Sequence, residues 1–402
     1  MVRIKLISAC SVLLTLLIVL QGCADTATPS PPPATPTVGP TPTPTPNTTI
    51  EVLAEVVVKE LKVPWALAFA PDGRLFVTER EGIIRVIRDG QVQTLPYAEV
   101  EVAQEGEGGL LGLALDPNFE SNGYLYVYHT YSSPRGPLLN KVVRLEDRGE
   151  KAENPAVILD DIPGSRFHNG GRIKFGPDGK LYIATGDAAS NTLAQDLTSL
   201  AGKILRINKD GSIPQDNPFP DSPVYSYGHR NPQGLAWHPV TGQLYATEHG
   251  PVGHDEVNRI VAGSNYGWPI IIGAGNDRRF QDPVLESGID TWAPSGAAFY
   301  DGDLLPPEWK GRLVFGALRG RRIIWITLRP PEYRAVQDRG SLFGQQFGRI
   351  RDVVQGPDGY LYFATNNRDG RGTPGEGDDL ILRIVPVRGS LSYLPQSQVD
   401  RG

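Results

Sequence analysis

The chain is poor in cysteine and methionine, and it has no strongly basic stretch. Two cysteines and one methionine occur in 402 residues, and both cysteines fall within the first 23. The rest of the chain therefore offers neither a disulfide nor a thiol nucleophile. The 39 lysines and arginines are outnumbered by 45 aspartates and glutamates and form no block, so a nucleic-acid partner has little electrostatic support.

The N-terminal apolar run is too short to span a bilayer. It covers residues 6–20, against the roughly 18 residues that a spanning helix needs, and two basic residues precede it. The motif Leu20-Gln21-Gly22-Cys23 resembles a bacterial lipobox, in which the cysteine becomes the lipidated N-terminus. We therefore expect a lipoprotein signal peptide over residues 1–22. The protein would be extracytoplasmic, in the periplasm or at the cell surface, and attached to the membrane only by lipid on Cys23. The alternatives are an uncleaved anchor and an unlipidated signal.

Glycine and proline are abundant, with 46 and 36 copies. Nine prolines and nine threonines fall in residues 24–49, a composition that favours extended polyproline geometry. We expect residues 23–49 to be a semi-rigid linker. The remaining glycines and prolines predict many turns and argue against long helices in the globular part.

One sequence pattern recurs six times in the globular part, which we place at residues 50–388, with a tail at 389–402. An alternating apolar run leads into a turn, often Pro-Asp-Gly, and then into a leucine beside aromatic and small β-forming residues. The clearest copies are residues 66–77, 173–183 and 353–362. The shared leucines recur at intervals of 48 to 69 residues, at Leu75, Leu125, Leu181, Leu244, Leu313 and Leu361.

Each interval accommodates one four-stranded antiparallel unit and a loop. The repeats therefore predict an all-β fold, a six-bladed β-propeller of four-stranded antiparallel blades, as one domain. Residues 56–58, ahead of the first repeat, are expected to close the ring against residues 380–384. A β-sandwich or two barrels is the alternative.

The segments between the repeats carry the candidate chemistry, because propeller function concentrates in loops on one face. Residues 104–112 (QEGEGGLLG) are glycine-rich without matching a dinucleotide fingerprint, and Gln104 is a candidate polar contact. His168 stands beside two glycines and is a candidate general base, although a lone histidine is more often structural. Residues 227–234 (YGHRNPQG) offer Arg230 and Asn231 as donors.

Two further features suggest a cation and a polycarboxylate. Residues 248–258 (EHGPVGHDEVN) have no zinc spacing and contain a Gly-Pro break, so carboxylates and loop carbonyls there suit Ca²⁺ better. Arg349 and Arg351 are two residues apart, which puts both guanidinium groups on one strand face. With Arg319 they suit a planar polycarboxylate ligand through bidentate contacts, although a solvated surface position is commoner for any single arginine.

Taken together, residues 52–385 resemble the soluble aldose sugar dehydrogenases that depend on pyrroloquinoline quinone, within the glucose/sorbosone dehydrogenase family. The resemblance rests on six segments in this order, and their combination is more specific than any one of them. They are residues 228–234 (GHRNPQG), 248–251 (EHGP), 255–256 (DE), 265–269 (NYGWP), 292–296 (WAPSG) and 349–352 (RIRD).

The resemblance implies a role for each candidate residue. His168 would be the base that takes the proton of the sugar C1 hydroxyl while hydride passes from C1 to the quinone. Arg230 would stabilise the charge that develops on the quinone oxygen. The residues that hold the cofactor would be Gln104, Arg230, Asn231, Arg319, Arg349 and Arg351.

Two calcium ions are implied in the same way. A catalytic Ca²⁺ would bind the carbonyls of Gly250 and Pro251 together with the cofactor, and a structural Ca²⁺ would bind at Glu256 and Tyr266. Whether Asn276 or Asp277 completes the structural site is left open, because the motif match loosens after residue 268.

The sequence departs from the family pattern at two of these places. Arg319 stands where the family often has lysine. Arginine keeps the positive charge at this position but changes the reach of the side chain. Phe167 stands where the glucose-oxidising branch has aspartate, which fits the branch with broad aldose specificity.

Three functions fit these observations. The first is an aldose dehydrogenase with a sugar substrate and an electron acceptor that the sequence does not identify. The second is a calcium-dependent propeller lactonase, which would need no cluster of cofactor-facing arginines. The third is a non-catalytic binding module, which would tolerate loss of His168.

Overall fold

The computed structural model describes residues 52–134 and 136–387. The expected signal peptide at 1–22, the lipid on Cys23, the linker at 23–49 and the tail at 389–402 lie outside these residues. No helix within the described ranges has the length and apolar character that crossing a bilayer requires.

Six antiparallel sheets form the six blades of a β-propeller, as the repeats predicted. The innermost strands of blades 1 to 6 are β2 (Pro64–Phe69), β7 (Leu110–Leu115), β11 (Ile173–Phe175), β15 (Pro232–Trp237), β19 (Pro294–Phe299) and β23 (Ile350–Gln355). The second strands are β3 (Leu75–Glu79), β8 (Tyr124–Ser132), β12 (Leu181–Thr185), β16 (Leu244–Glu248), β20 (Leu313–Ala317) and β24 (Leu361–Thr365).

The outer half of each blade is more variable in length. The third strands are β4 (Ile83–Arg88), β9 (Leu138–Asp147), β13 (Lys203–Ile207), β17 (Glu256–Arg259), β21 (Arg322–Leu328) and β25 (Ile381–Pro386). The outermost strands are β5 (Gln91–Val92), β10 (Ala152–Pro163), β14 (Val224–Tyr227), β18 (Leu285–Glu286), β22 (Val336–Leu342) and β1 (Val52–Val58). A short extra strand, β6 (Ala98–Glu99), also pairs with β4. The remaining elements are the one-turn helix α1 (Phe119–Asn122) and 3₁₀ turns at Asn191–Ala194 and Pro307–Trp309.

The Pro-Asp-Gly turns behave as their chemistry predicts. In blade 1 the side chain of Asp72 accepts a hydrogen bond from the amide of Arg74 at 3.1 Å, and Gly73 has a φ of +88°. Such a φ favours glycine because a side chain there would be strained. The turn delivers the chain to Leu75, which is buried, and the other five shared leucines also lie on second strands and are buried.

The inner strands approach one another closely at glycines. A Cβ on Gly112 would lie 2.1 Å from the carbonyl oxygen of Gly171 on the next blade. A Cβ on Gly296 would lie 1.8 Å from Oδ1 of Asp352. These positions therefore need glycine, since any side chain would force neighbouring blades apart.

The two ends of the described chain share blade 6. Strand β1 pairs antiparallel with β25, with Val52 opposite Pro386 and Val56 opposite Leu382. The predicted closure of the ring by residues 56–58 is confirmed, and the paired ends leave one continuous ring of blades.

Candidate functional site

A cavity of about 800 Å³ opens at the centre of one face of the propeller. Residues from all six blades and their loops line it, because the inner strands converge at this point. The lining is dominated by seven arginines: Arg80, Arg230, Arg319, Arg321, Arg349, Arg351 and Arg371. Three carboxylates, those of Glu107, Asp255 and Asp369, share the lining. The cavity is therefore a strongly cationic pocket in a chain whose net charge is −6.

His168 lines this cavity and is held by a buried carboxylate. Its Nδ1 lies 2.8 Å from Oδ1 of Asp187, whose side chain is 1% exposed. The same carboxylate accepts hydrogen bonds from Nε1 of Trp268 at 2.8 Å and from the amide of Ala189 at 2.9 Å. An ionised carboxylate only accepts, so Nδ1 carries the proton and Nε2 keeps a free lone pair. This is the arrangement that a general base needs.

The backbone of His168 is held in an uncommon conformation. Its φ is +59°, the left-handed region that a non-glycine residue adopts at some cost. The amide of His168 donates to Oε2 of Glu107 at 3.1 Å, and its carbonyl accepts from the amide of Ala188 at 3.2 Å. These contacts on both sides of the residue fix the direction in which the imidazole projects.

Arg230 enters the cavity beside His168. Its Nη1 donates to the carbonyls of Gly250 at 2.8 Å and His249 at 3.2 Å, while its amide donates to the Glu248 side chain. The guanidinium carbon lies 5.4 Å from the centre of the Trp268 ring. Its Nε is buried with no partner among the described residues, and burial lowers the pKa of the group. Arg230 is thus a partly desolvated donor with capacity to spare.

Arg349 and Arg351 line the same cavity, as their spacing predicts, but their environments differ. Nε and Nη2 of Arg349 bind Oδ2 of Asp369 at 2.9 and 2.7 Å. Arg351 contacts no carboxylate within the described chain, and its bonds go to the neutral amides of Gln233 and Asn366. Burial lowers the pKa of Arg351 to about 9. A buried cation without a counter-ion calls for an anionic ligand.

The other predicted cofactor contacts are placed differently. Arg319 is exposed at the cavity and has no side-chain partner among the described residues. Asn231 is buried next to the loop of His168, where its Oδ1 accepts from the amide of Gly170 at 3.0 Å and its Nδ2 has no described partner. Gln104 is exposed and does not line the cavity, so its assignment as a cofactor contact stays a prediction.

Gly250 and Pro251, the predicted calcium ligands, form part of the cavity wall. Asp255 organises this wall, since its carboxylate accepts from the amides of Gly250 at 2.9 Å, Trp292 at 2.6 Å and Ala293 at 2.8 Å. In this arrangement Arg230 donates to the Gly250 carbonyl. Among the described residues, no group of three His, Cys, Asp or Glu side chains is placed to hold a metal. A cation at this wall would therefore depend on carbonyls.

Glu256 and Tyr266 meet at a second, very small cavity of about 20 Å³, which Glu248 and Trp268 also line. Nδ2 of Asn258 bridges Oε2 of Glu256 at 2.9 Å and Oε2 of Glu248 at 3.3 Å. Burial and, to a smaller extent, the negative charge of Glu248 raise the pKa of Glu256 to about 8. Two buried carboxylates around one small void would be relieved of their repulsion by a divalent cation.

The hydroxyl of Tyr266 is already in use. It donates to the carbonyl of Arg259 at 2.6 Å and accepts from the amide of Val261 at 2.9 Å, so the Tyr266 carbonyl is the oxygen that is freer to bind a metal. Neither Asn276 nor Asp277 lines the small cavity. The carboxylate of Asp277 is bound by Arg279 at 2.7 Å.

Several residues of the site were missed by the sequence reasoning, above all Asp187. A signal for it exists in the repeats, because the second strands of blades 1, 3, 4 and 6 carry a buried threonine at or next to their last residue, with an acid or amide one or two residues later. Thr78 precedes Glu79, Thr247 precedes Glu248 and Thr365 precedes Asn366, with Asp187 one residue further on in blade 3. Glu107, Asp369, Arg80 and Arg371 had no such signal, since loops far apart in sequence bring them together.

The chain matches the family described as Glucose / Sorbosone dehydrogenase over residues 61–382. It is 35% identical over 342 residues to the aldose sugar dehydrogenase YliI of Escherichia coli, covering 79% of this chain and 91% of that one. It is 37% identical over 431 residues to the quinoprotein glucose dehydrogenase B of Acinetobacter calcoaceticus, covering 84% and 89%. The structure of the PQQ-bound aldose sugar dehydrogenase of Streptomyces coelicolor is similar, with a TM-score of 0.75, 40% identity and coverage of 84% and 99%.

Proposed function

Because the chain belongs to the glucose/sorbosone dehydrogenase family, we propose that it is a quinoprotein oxidoreductase that oxidises aldose sugars at C1 to lactones, using pyrroloquinoline quinone (PQQ). The observation that carries the proposal is the pairing of His168 with Asp187 at the wall of a cationic cavity. The relatives named above support the cofactor and the substrate class.

The cavity suits a planar tricarboxylate. Within the described part of the chain, Arg351 is a buried cation with no carboxylate partner, and Arg319 lines the same cavity with no side-chain partner. The unused Nε of Arg230 and Nδ2 of Asn231 are further donors. Arg351, Arg349 and Arg319 would hold the carboxylates, and Arg230 and Asn231 would bind the quinone end.

PQQ, when bound, would supply a two-electron acceptor for the hydride at C1 of the sugar. Within this chain, Nε2 of His168 accepts the proton of the C1 hydroxyl, and Asp187 stabilises the imidazolium that forms. Arg230, desolvated and hydrogen-bonded to two carbonyls, is held where it can stabilise developing negative charge. Glu107 fixes the backbone from which His168 projects.

We further propose two Ca²⁺ ions. One would use the carbonyls of Gly250 and Pro251 beside the cofactor and act as a Lewis acid. The other would be structural and would use the Glu256 carboxylate and the Tyr266 carbonyl. The crowding of Glu256 against Glu248 supports the second site.

The location of the protein is also a proposal. The lipobox motif supports attachment to a bacterial membrane through lipid on Cys23, outside the cytoplasm. Expression with a radiolabelled fatty acid tests it. Label on the wild type that is absent from Cys23→Ser supports the anchor, and equal labelling of both contradicts it.

One assay tests the activity. The purified domain is reconstituted with PQQ and Ca²⁺, and reduction of an artificial electron acceptor is followed with a panel of aldoses. We expect turnover that depends on both additions. The absence of turnover with every sugar would overturn the proposal, and hydrolysis of lactones without dye reduction would indicate the lactonase instead.

A further inference from the structure

The cavity holds more positive charge than the proposed cofactor uses. Four of its seven arginines, Arg230, Arg319, Arg349 and Arg351, are assigned to the cofactor. Of the other three, Arg371 is paired with Glu107 at 2.8 Å and Arg321 is exposed. The seventh, Arg80, is half-buried at the cavity and has no assigned role.

The side chain of Arg80 forms no ion pair with any residue that the structure describes. No described side chain accepts a hydrogen bond from its guanidinium group, and its Nε is buried without a partner. Burial lowers the pKa of Arg80, while the charges of Asp369 and Glu107 offset the effect only in part. Binding an anion would remove this electrostatic penalty.

The two carboxylates near Arg80 are already committed to other groups. Asp369 binds Arg349 through Oδ2, while its Oδ1 accepts from the amides of Arg371 and Gly372. Glu107 binds Arg371 through Oε1 and the amide of His168 through Oε2. The two carboxylates therefore offset the burial of Arg80 only in part, and its guanidinium group keeps hydrogen-bonding capacity for a ligand.

The backbone of Arg80 is joined to the loop that holds the base. Its carbonyl accepts from the amide of Leu110 at 3.0 Å, which joins it to the loop of Glu107. Glu107 in turn holds His168, and the guanidinium carbon of Arg371 lies 5.5 Å from the ring centre of Phe167, the residue before the base. Arg80 and Arg371 therefore line the same cavity as His168, and each adjoins a residue next to the base or the loop that holds it.

We propose that Arg80, with Arg371, forms a subsite for an anionic group at the end of the sugar remote from C1. This inference rests on the proposed function. The preferred substrates of the protein would be acidic aldoses that carry a carboxylate or a phosphate. The reaction at C1 is unchanged. The C1 hydroxyl proton would go to His168, bound PQQ would accept the hydride from C1, and the product would be a lactone that keeps its anionic group.

Three sugars with the same pyranose ring test this subsite. Glucose, glucuronic acid and glucose 6-phosphate differ only at C6, and the two charged sugars distinguish a carboxylate from a phosphate. We expect kcat/KM for at least one charged sugar to exceed that for glucose by roughly tenfold or more, and the preference to shrink with added salt. A kcat/KM for glucose equal to or above both charged sugars overturns the subsite.

Variants of Arg80 show whether it carries the preference. Arg80→Gln should reduce the ratio of kcat/KM between the preferred charged sugar and glucose roughly tenfold, and Arg80→Lys should keep most of it. Arg334→Gln is the matched control, because Arg334 is exposed and outside the cavity.

PQQ affinity, titrated by fluorescence with the apo protein, separates the two possible ligands of Arg80. If Arg80→Gln weakens PQQ binding and leaves the substrate ratio unchanged, Arg80 belongs to the cofactor and the inference is wrong. No turnover with any of the three sugars would contradict the proposed function itself, and the inference with it.

Discussion

Arg172 and Asp352 form an ion pair at the centre of the ring, with Nη1 of Arg172 3.0 Å from Oδ2 of Asp352. Their side chains are 2% and 0% exposed. Oδ2 of Asp352 also accepts from the amide of Leu67 at 2.9 Å, so one carboxylate joins blades 3, 6 and 1. The Arg172 guanidinium carbon lies 4.4 Å from the ring centre of Trp65, which lines the cavity. The pair therefore packs against a residue of the cavity wall and helps to hold that wall in place.

Asp352→Asn should strongly destabilise the fold. The change leaves the charge of Arg172 buried and uncompensated, and losing one partner of such a pair costs about 3–5 kcal/mol. Urea unfolding measures the change. The control is Asp303→Asn, which removes an exposed ion pair with Lys310 and should leave stability nearly unchanged. Equal stability of the two variants would contradict the central role of Asp352.

Asp187→Asn should lower kcat by roughly 10²–10⁴-fold, because the neutral amide no longer stabilises the imidazolium of His168. His168→Ala should abolish turnover, and both variants should keep PQQ affinity close to that of the wild type. Stopped-flow reduction and PQQ titration provide the two readouts.

Asp196→Asn is the matched control for Asp187→Asn, since Asp196 is exposed in the same blade and bonds only within its own turn. It should behave as the wild type. Full activity in His168→Ala would show that another residue is the base.

Arg351→Gln should weaken PQQ binding at least tenfold, because a buried cation without a counter-ion is lost. The wild type should bind PQQ with constant affinity below about pH 8 and more weakly as pH rises through about 9, where burial places the pKa of Arg351. The affinity falls as pH rises because the anionic ligand pairs only with the charged form of Arg351. Isothermal titration across pH gives both results. A pH-independent wild type, or an Arg351→Gln variant with the same pH dependence as the wild type, contradicts the assignment.

If the proposed structural Ca²⁺ is bound, a chelator should affect stability. Removal of Ca²⁺ should lower the melting temperature, because Glu256 and Glu248 are then left close together in a buried site. Glu256→Gln should bind less Ca²⁺ and lose the effect. Elemental analysis and thermal melts with and without chelator measure it. Asp277→Asn is the control, since Asp277 lies outside the small cavity, and a chelator effect in Glu256→Gln equal to that of the wild type would remove Glu256 from the site.

The fold was predictable because repetition amplifies weak signals. A single turn such as Pro71-Asp72-Gly73 says little, but six leucines in the same context require six equivalent strand pairs. Closure of the ring by β1 was predictable because residues 56–58 form an apolar segment that lies ahead of the first repeat. The bounds of the outer strands could not be predicted from the repeated sequence pattern, because strands as short as β5 and as long as β10 share no motif.

The site was only partly predictable, because its electrostatics depend on partners supplied by distant loops. The motifs gave His168, Arg230, Arg349 and Arg351, but no spacing shows that Asp369 neutralises one arginine of the Arg349–Arg351 pair and leaves the other unpaired. Gln104, which the resemblance assigns to the cofactor, lies outside the cavity lining, and its assignment stays a prediction.

The sharing of blade 6 by β1 and β25 affects how the protein folds. Val52 emerges early in synthesis and its partner, Pro386, near the end, so the ring cannot close until nearly the whole domain has been made. Contacts this distant in sequence slow folding, because the chain loses loop entropy before it gains them. A domain that closes last at its two ends stays open during synthesis until the final strand, β25, pairs with β1.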